Sequence, residues 1–131
     1  MEPTFTIGEF IKAVASSPNQ NCVRVARRDG WTAVWDDKLA GEHADPDATL
    51  PGEQLLYFTD EQFDAFQVDL RAGRSEGVYL STRYDHGDYV FSADVAAQQP
   101  VDGVELHFSS AEVEAFRSGV LNGEFERARF G

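Results

Sequence analysis

The sequence predicts an α+β fold. An N-terminal helix precedes two tandem β-β-β-α repeats that share one core, with antiparallel sheets in pseudo-twofold symmetry. Three observations lead there. Segments 54–74 and 104–124 align without a gap at an offset of fifty residues, with Leu56/Leu106, Phe58/Phe108, Ala65/Ala115, Phe66/Phe116 and Gly73/Gly123 identical. Each segment reads as a short apolar strand running into a capped helix. Each is preceded by the signature of a β-hairpin. Two such repeats each expose an apolar face that the other can bury, so one domain over residues 1–131 is expected rather than two.

The elements follow in order. Phe5-Thr6-Ile7-Gly8-Glu9-Phe10 carries capping-box and staple spacing, which predicts a helix over about residues 6–16, ended by Ser16-Ser17-Pro18-Asn19. Repeat 1 spans about 20–74. Residues 22–36 alternate around Asp29-Gly30, the strongest short hairpin signal. A long acidic loop, about 40–53, leads to the third strand. Thr59 with Gln62 then has capping-box spacing, and Phe58 with Phe63 has staple spacing. Phe63, Phe66 and Leu70 form one helical face, and Gly73 stands where a glycine stop belongs.

Repeat 2 spans about 77–125 and repeats this logic. Residues 77–92 predict a hairpin with about one extra turn residue at Asp85-His86-Gly87. A loop from Ala96 to Gly103, with Pro100, leads to the third strand. Ser109 with Glu112 is the second capping box, and Phe108 with Val113 the second staple. Val113, Phe116 and Val120 form the helical face, and Gly123 is the stop. Phe58, Phe66, Phe108 and Phe116 are thus the structural anchors of the two copies.

Composition narrows the function. Hydrophobic residues make up 42% and aromatics 12%, enough to build a core. Eleven Lys and Arg against 23 Asp and Glu leave a net charge of −12. Binding to a phosphate backbone or an anionic membrane depends on Lys and Arg, so neither is expected. The charge is even: residues 1–74 hold 13 acids and 7 bases, residues 75–131 hold 10 and 4. Such a surface keeps a protein soluble, and it also suits a basic protein partner. No apolar run approaches the ~20 residues of a membrane span. The first twenty residues lack a basic region before an apolar stretch, so no secretory signal is expected.

No motif of known chemistry stands out. The carboxylates of Asp36-Asp37 and of Glu42 to Asp47, with His43, lack the spacing of a calcium loop. The patterns of nucleophile elbows, zinc proteases and P-loops are missing. Neither a metal nor a cofactor is expected. The single cysteine, Cys22, excludes an internal disulfide and reads as a buried strand residue. His43, His86 and His107 have no partner motif. Arg24, Arg27 and Arg28 form a basic cluster, but a strand sends Arg24 and Arg27 to opposite faces. That pattern suits cross-strand pairing with acids or a protein contact. Trp31 and Trp35 share a strand face, a core pattern; an exposed one would be a natural hot spot.

The run Ser16-Ser17-Pro18-Asn19-Gln20-Asn21-Cys22-Val23-Arg24-Val25-Ala26 resembles the opening of the family called domain of unknown function 397. Ala33-Val34-Trp35-Asp36-Asp37-Lys38 resembles that family's middle block, and Leu56-Tyr57-Phe58-Thr59 through Phe66 to Gly73 its end. The likeness covers about residues 16–74, and segment 77–125 resembles the family less, so the chain looks like a divergent, tandemly duplicated member. Trp35 stands where the family usually has Arg, and Asp37 where it usually has Ser. The resemblance implies a small, acidic, cytoplasmic actinobacterial protein with no enzymatic activity. It also implies a helix-turn-helix transcription regulator as the partner that it binds and modulates. Trp35, Asp36, Asp37, Lys38 and Arg24 are the candidate partner contacts. Duplication predicts a monomer, with a homodimer as the alternative.

Two rival readings remain. An acidic immunity or antitoxin protein would block a toxic enzyme in a tight one-to-one complex. A small enzyme would use carboxylates of Asp36-Asp37 or of the 42–47 loop, and would need a concave pocket to hold them.

Overall fold

The computed structural model describes residues 4–13, 23–39, 45, 47–73, 79–93, 99 and 103–130. Strand β1 (Val23–Arg28) turns at Asp29-Gly30 into β2 (Trp31–Asp36). Both turn residues have positive φ, 56° and 85°. That is the conformation a two-residue hairpin needs to match strand twist, and Asp and Gly tolerate it. Strand β3 (Leu55–Thr59) pairs antiparallel with β2 and runs directly into helix α1 (Asp60–Arg71). Strands β4 (Leu80–Asp85), β5 (Asp88–Ala93) and β6 (Glu105–Ser109) form a second antiparallel sheet, followed by helix α2 (Ser110–Leu121). The architecture is α+β, with two three-stranded antiparallel sheets and two helices.

Both helices start on the boxes read from sequence. The Gln62 amide donates to Thr59 Oγ1 at 3.2 Å, and the Thr59 amide donates to Gln62 Oε1 at 2.9 Å. Ser109 and Glu112 make the same reciprocal pair at 3.2 and 3.1 Å. These satisfy amides that the first helical turn would otherwise strand. Gly73 and Gly123 follow the C-caps with φ of 88° and 73°, and their amides return to Leu70 O and Val120 O.

One buried cluster draws on both sheets and both helices: Val25, Val34, Leu56 and Phe58 from the first, Leu80, Phe91, Leu106 and Phe108 from the second. Phe63 and Phe66 of α1 and Phe116 and Val120 of α2 fill the space between them. Phe66 stacks on Phe116, centroids 6.1 Å apart, and Phe116 reaches Phe91 at 5.8 Å. The C-terminal segment closes this core with Phe125, fully buried. Gly119 admits it: a Cβ there would stand 2.7 Å from the Phe125 ring and 2.9 Å from Ala13 Cβ.

The first sheet buries its other face as well. Ala26, Ala33, Trp35, Leu55 and Tyr57 lie under Phe5, Phe10 and Leu50. Here the structure corrects the N-terminal expectation. Instead of a helix over about 6–16, there is a three-residue 3-10 turn, Ile7–Glu9, followed by extended chain at Phe10. The Thr6 amide does donate to Glu9 Oε2 at 2.7 Å, so the local cap forms without the helix. Two tertiary bridges win the backbone. Ile11 exchanges hydrogen bonds with Val25 at 2.8 and 2.9 Å, and Thr6 pairs with Thr49. An extended segment brings both Phe5 and Phe10 onto the sheet, whereas a short isolated helix has little stability of its own. Residues 14–16 of that expectation lie outside the described residues.

The second hairpin also differs. Its turn holds two residues, His86 and Gly87, with φ of 50° and 90°, and Asp85 pairs with Asp88. No extra turn residue is present, so both hairpins use the same turn length. Asp37–Leu39 forms a short 3-10 turn before the acidic loop; within the loop Asp45 and residues 47–53 are described, with Thr49 bridged to Thr6 and a second 3-10 turn at Gly52–Gln54, and residues 40–44 and 46 lie outside the description. Of the Ala96–Gly103 loop, only Gln99 and Gly103 are described. The Tyr57 amide donates to Gln99 Oε1 at 2.7 Å, and the Gln99 amide group donates back to Tyr57 O, so a side chain completes the edge of β3.

Candidate functional site

Among the described residues Arg27 is the buried cation, its side chain only 1% exposed. Its position on β1 sends it to the core face beside Thr32 and Phe58. There it meets the N-terminus of α1. Arg27 Nε donates to Asp60 Oδ1 at 3.2 Å, Nη2 donates to Asp60 O at 3.1 Å, and Nη1 donates to Phe125 O at 2.9 Å. Nη2 also lies 2.9 Å from Asp64 Oδ1, and the guanidinium sits 5.1 Å from the Phe63 centroid. The Thr32 hydroxyl donates to the same Asp60 oxygen at 2.7 Å. Every side of the fork is thus occupied, and the group ties β1, β2, α1 and the C-terminal segment together. A buried charge is tolerated only when paired and hydrogen-bonded in this way.

Asp64 extends the network to the surface. Arg127 reaches Asp64 Oδ2 from Nε at 2.9 Å and from Nη2 at 2.7 Å. Burial pushes the Asp64 carboxyl up, but the hydrogen bonds from Arg127 and Arg27 outweigh it and hold the group below the usual carboxylate range. A second network fastens the N-terminal cover. Arg28 donates to Glu9, Asp29 and Thr4 O, and lies 5.3 Å from the Phe5 centroid. Burial raises Glu9 too, and again the Thr6 amide and Arg28 prevail and lower it.

The sequence candidates separate in space. Trp35 is 1% exposed beneath Phe10, centroids 5.6 Å apart, and its indole N–H donates to Gln54 at 3.3 Å. It is a packing residue rather than an exposed contact. Trp31 is half-buried against the same cluster. Asp36 is buried on the core face. Burial therefore corrects the reading of Trp35 and Asp36 as contacts: each would have to leave the interior to touch a partner. Arg24 and Asp37 remain near the surface and pair with each other at 2.9 Å. Cys22, His43 and the side chain of Lys38 lie outside the described residues. Phe58, Phe66, Phe108 and Phe116 are all core residues. Among the described residues, no group of three or more His, Cys, Asp or Glu is placed to hold a metal ion. No helix among them is long and apolar enough to cross a membrane.

The recess features lie elsewhere. Two shallow cavities of about 240 and 200 Å³ flank Ile11 and Arg129, but Arg27 and Arg28, which line the larger, already spend their donors inside the chain. A smaller cavity of about 90 Å³ opens between the second sheet and the helices, floored by Phe66, Leu70 and Phe116. Beside it the β4–β5 hairpin presents Tyr84, 64% exposed. Sequence reasoning missed this feature, and the Tyr84/Tyr89 cross-strand pair was its available signal. It also missed the Asp60 and Asp64 partners of Arg27, which are 33 and 37 residues away in the chain. No family model matches the chain, and neither a curated protein nor a solved structure does.

Proposed function

We propose that the chain is a non-enzymatic regulatory module that docks on a helix-turn-helix DNA-binding regulator and modulates it. One observation carries the reading. Arg24, Arg27, Arg28, Arg71, Arg83 and Arg127 each pair with a carboxylate of this chain, so the surplus acids, not the cations, characterise its outer surface. With 23 acids to 11 bases, such a surface attracts and orients a basic partner. The block-by-block likeness to domain of unknown function 397 supplies the class of partner. Under this reading the chain is a tandem duplication: the two halves follow the same strand–strand–strand–helix order, and each helix has twelve residues. The halves are then pseudo-twofold copies, and the chain acts as a monomer in the cytoplasm.

A tagged pull-down from the native host lysate, at low and high salt, tests it. The expected product is a helix-turn-helix protein that is lost at high salt, and a gel-shift assay then shows whether the complex still binds DNA. Recovery of a toxic enzyme in a salt-resistant one-to-one complex would transfer the proposal to the immunity reading.

A further inference from the structure

The segment after α2 docks on the junction of β1, α1 and α2. Phe125 enters the core against Phe116, centroids 5.3 Å apart, and its carbonyl accepts from Arg27 at 2.9 Å. Glu126 pairs with Arg71, and Arg127 pairs with Asp64 at 2.7 Å. The seated run is thus an apolar residue, an acid and a base in that order.

The corresponding junction of the second half holds the small cavity. Counted from their turns, Tyr84 and Tyr89 of the β4–β5 arm take the positions of Arg27 and Thr32. Counted from their caps, Val113, Glu114 and Arg117 of α2 take those of Phe63, Asp64 and Gln67 in α1. Val113 is smaller than Phe63, and the cavity of about 90 Å³ opens beside it, over Phe66 and Leu70. Tyr84 and Tyr89 form its aromatic wall, rings edge-to-face at 5.3 Å. Strand alternation turns Asp85 and Asp88 to the other face, so the rim carries one acid, Glu114, and one base, Arg117. Among the described residues neither has a partner, whereas Asp64 meets both Arg27 and Arg127.

We infer that this cleft is a docking groove for an extended segment of another protein with the order apolar–acid–base, the order of Phe125-Glu126-Arg127. The apolar side chain fills the cavity and removes a void that otherwise costs packing energy. The base meets Glu114, as Arg127 meets Asp64. The acid meets Arg117, one turn before Leu121, which stands at the position of Arg71. The Tyr84 hydroxyl is a donor for a backbone carbonyl, the role that Arg27 has toward Phe125. Opposite charges on the rim select the order of charges in the segment rather than its net charge. A second copy of this chain has its own run committed to its core, with Phe125 fully buried. The inference deepens the proposed function by naming where a partner segment sits, and it rests on that reading of the halves as copies and of the partner's class.

The test uses the full chain and a nine-residue synthetic peptide with Leu-Glu-Arg at its centre, between Ser and Gly residues. One counterpart carries Ala in place of Leu. The other carries Leu-Arg-Glu, the same composition with the charges exchanged. Titration followed by amide NMR should shift Tyr84, Tyr89, Val113 and Arg117. The Ala peptide should bind about tenfold more weakly, the scale of one buried aliphatic side chain. The exchanged peptide should bind about fivefold more weakly, the scale of two exposed ion pairs. The double variant Glu114→Arg with Arg117→Glu changes only the rim and should invert the preference between the two charge orders. Val113→Phe, which fills the cavity, should weaken the parent peptide by about tenfold. Indifference to Leu or to charge order, no inversion in the double variant, shifts centred on Arg27 and Asp64, or no binding at about 1 mM peptide would overturn the groove. So would a sedimentation mass twice that of the chain that Val113→Phe returns to one, since a second copy would then be the occupant. The two readings fail separately. A regulator captured equally by wild type, the double variant and Val113→Phe keeps the function and removes the groove. Peptide binding without any DNA-binding partner in the pull-down does the reverse.

Discussion

Arg27 shows how one side chain can hold four parts of a fold. Its charge is almost fully buried and is compensated by Asp60, Asp64 and the Phe125 carbonyl. Arg27→Ala leaves Asp60, itself buried, without its cation. Chemical denaturation should show a loss of about 3–5 kcal/mol, the range for breaking one side of a buried pair. Asp64 makes a separate, pH-dependent prediction. Its folded-state pKa lies below its unfolded value, so its contribution is complete above the unfolded pKa of roughly 4. It disappears as pH falls through the folded value. Stability should therefore decline in acid below about pH 4, and Asp64→Asn should flatten that decline in thermal melts run from pH 5 to 2. Glu9, lowered on the N-terminal cover, adds to the same acid limb. At neutral pH neither group titrates. Arg24 and Arg27 diverge as strand alternation requires, but the acid that each meets depends on segments distant in sequence.

At the scale of elements, the capping boxes are the clearest match between letters and geometry. Thr59/Gln62 and Ser109/Glu112 each form both reciprocal bonds. Thr59→Ala and Ser109→Ala should each cost about 1 kcal/mol by urea denaturation, with the slope unchanged. The Thr6/Glu9 pair carries the same spacing and part of the same bonding, yet no helix follows it. A cap lowers the cost of starting a helix but does not supply the packing that sustains one. In α1 and α2 the faces of Phe63, Phe66 and Leu70 and of Phe116 and Val120 have a core to enter. Phe10, by contrast, finds its burial on the sheet only when the chain runs extended.

At the scale of the molecule, Phe66, Phe116, Phe91 and Phe108 form a continuous aromatic contact from α1 through α2 into the second sheet. Phe116 touches Phe66, Phe91 and Phe125, so it couples elements from both halves of the chain. Phe116→Ala should cost about 3–5 kcal/mol. Circular dichroism and tryptophan fluorescence should still report one coincident transition, although both tryptophans lie in the first sheet. Separate transitions would mean that the two sheets melt independently. The first sheet is covered on both faces, one by this core and one by Phe5, Phe10 and Leu50. The second keeps Glu105 and His107 exposed on alternate positions of β6, and it projects the Tyr84 arm.

The sequence by itself determined the local structure: the Asp29-Gly30 turn, the strands of period two, the two boxed helices with their glycine stops, and the aromatic faces that become the core. These rest on interactions within a few residues, which composition and spacing encode directly. Only the tertiary structure decided which acid pairs with Arg27, that Trp35 and Asp36 are interior, that the N-terminal segment runs extended, and where a recess forms beside Tyr84. Each of those depends on free energy shared between segments far apart in the chain. Burial there outweighs local preference, and no spacing along the sequence records which surfaces will meet.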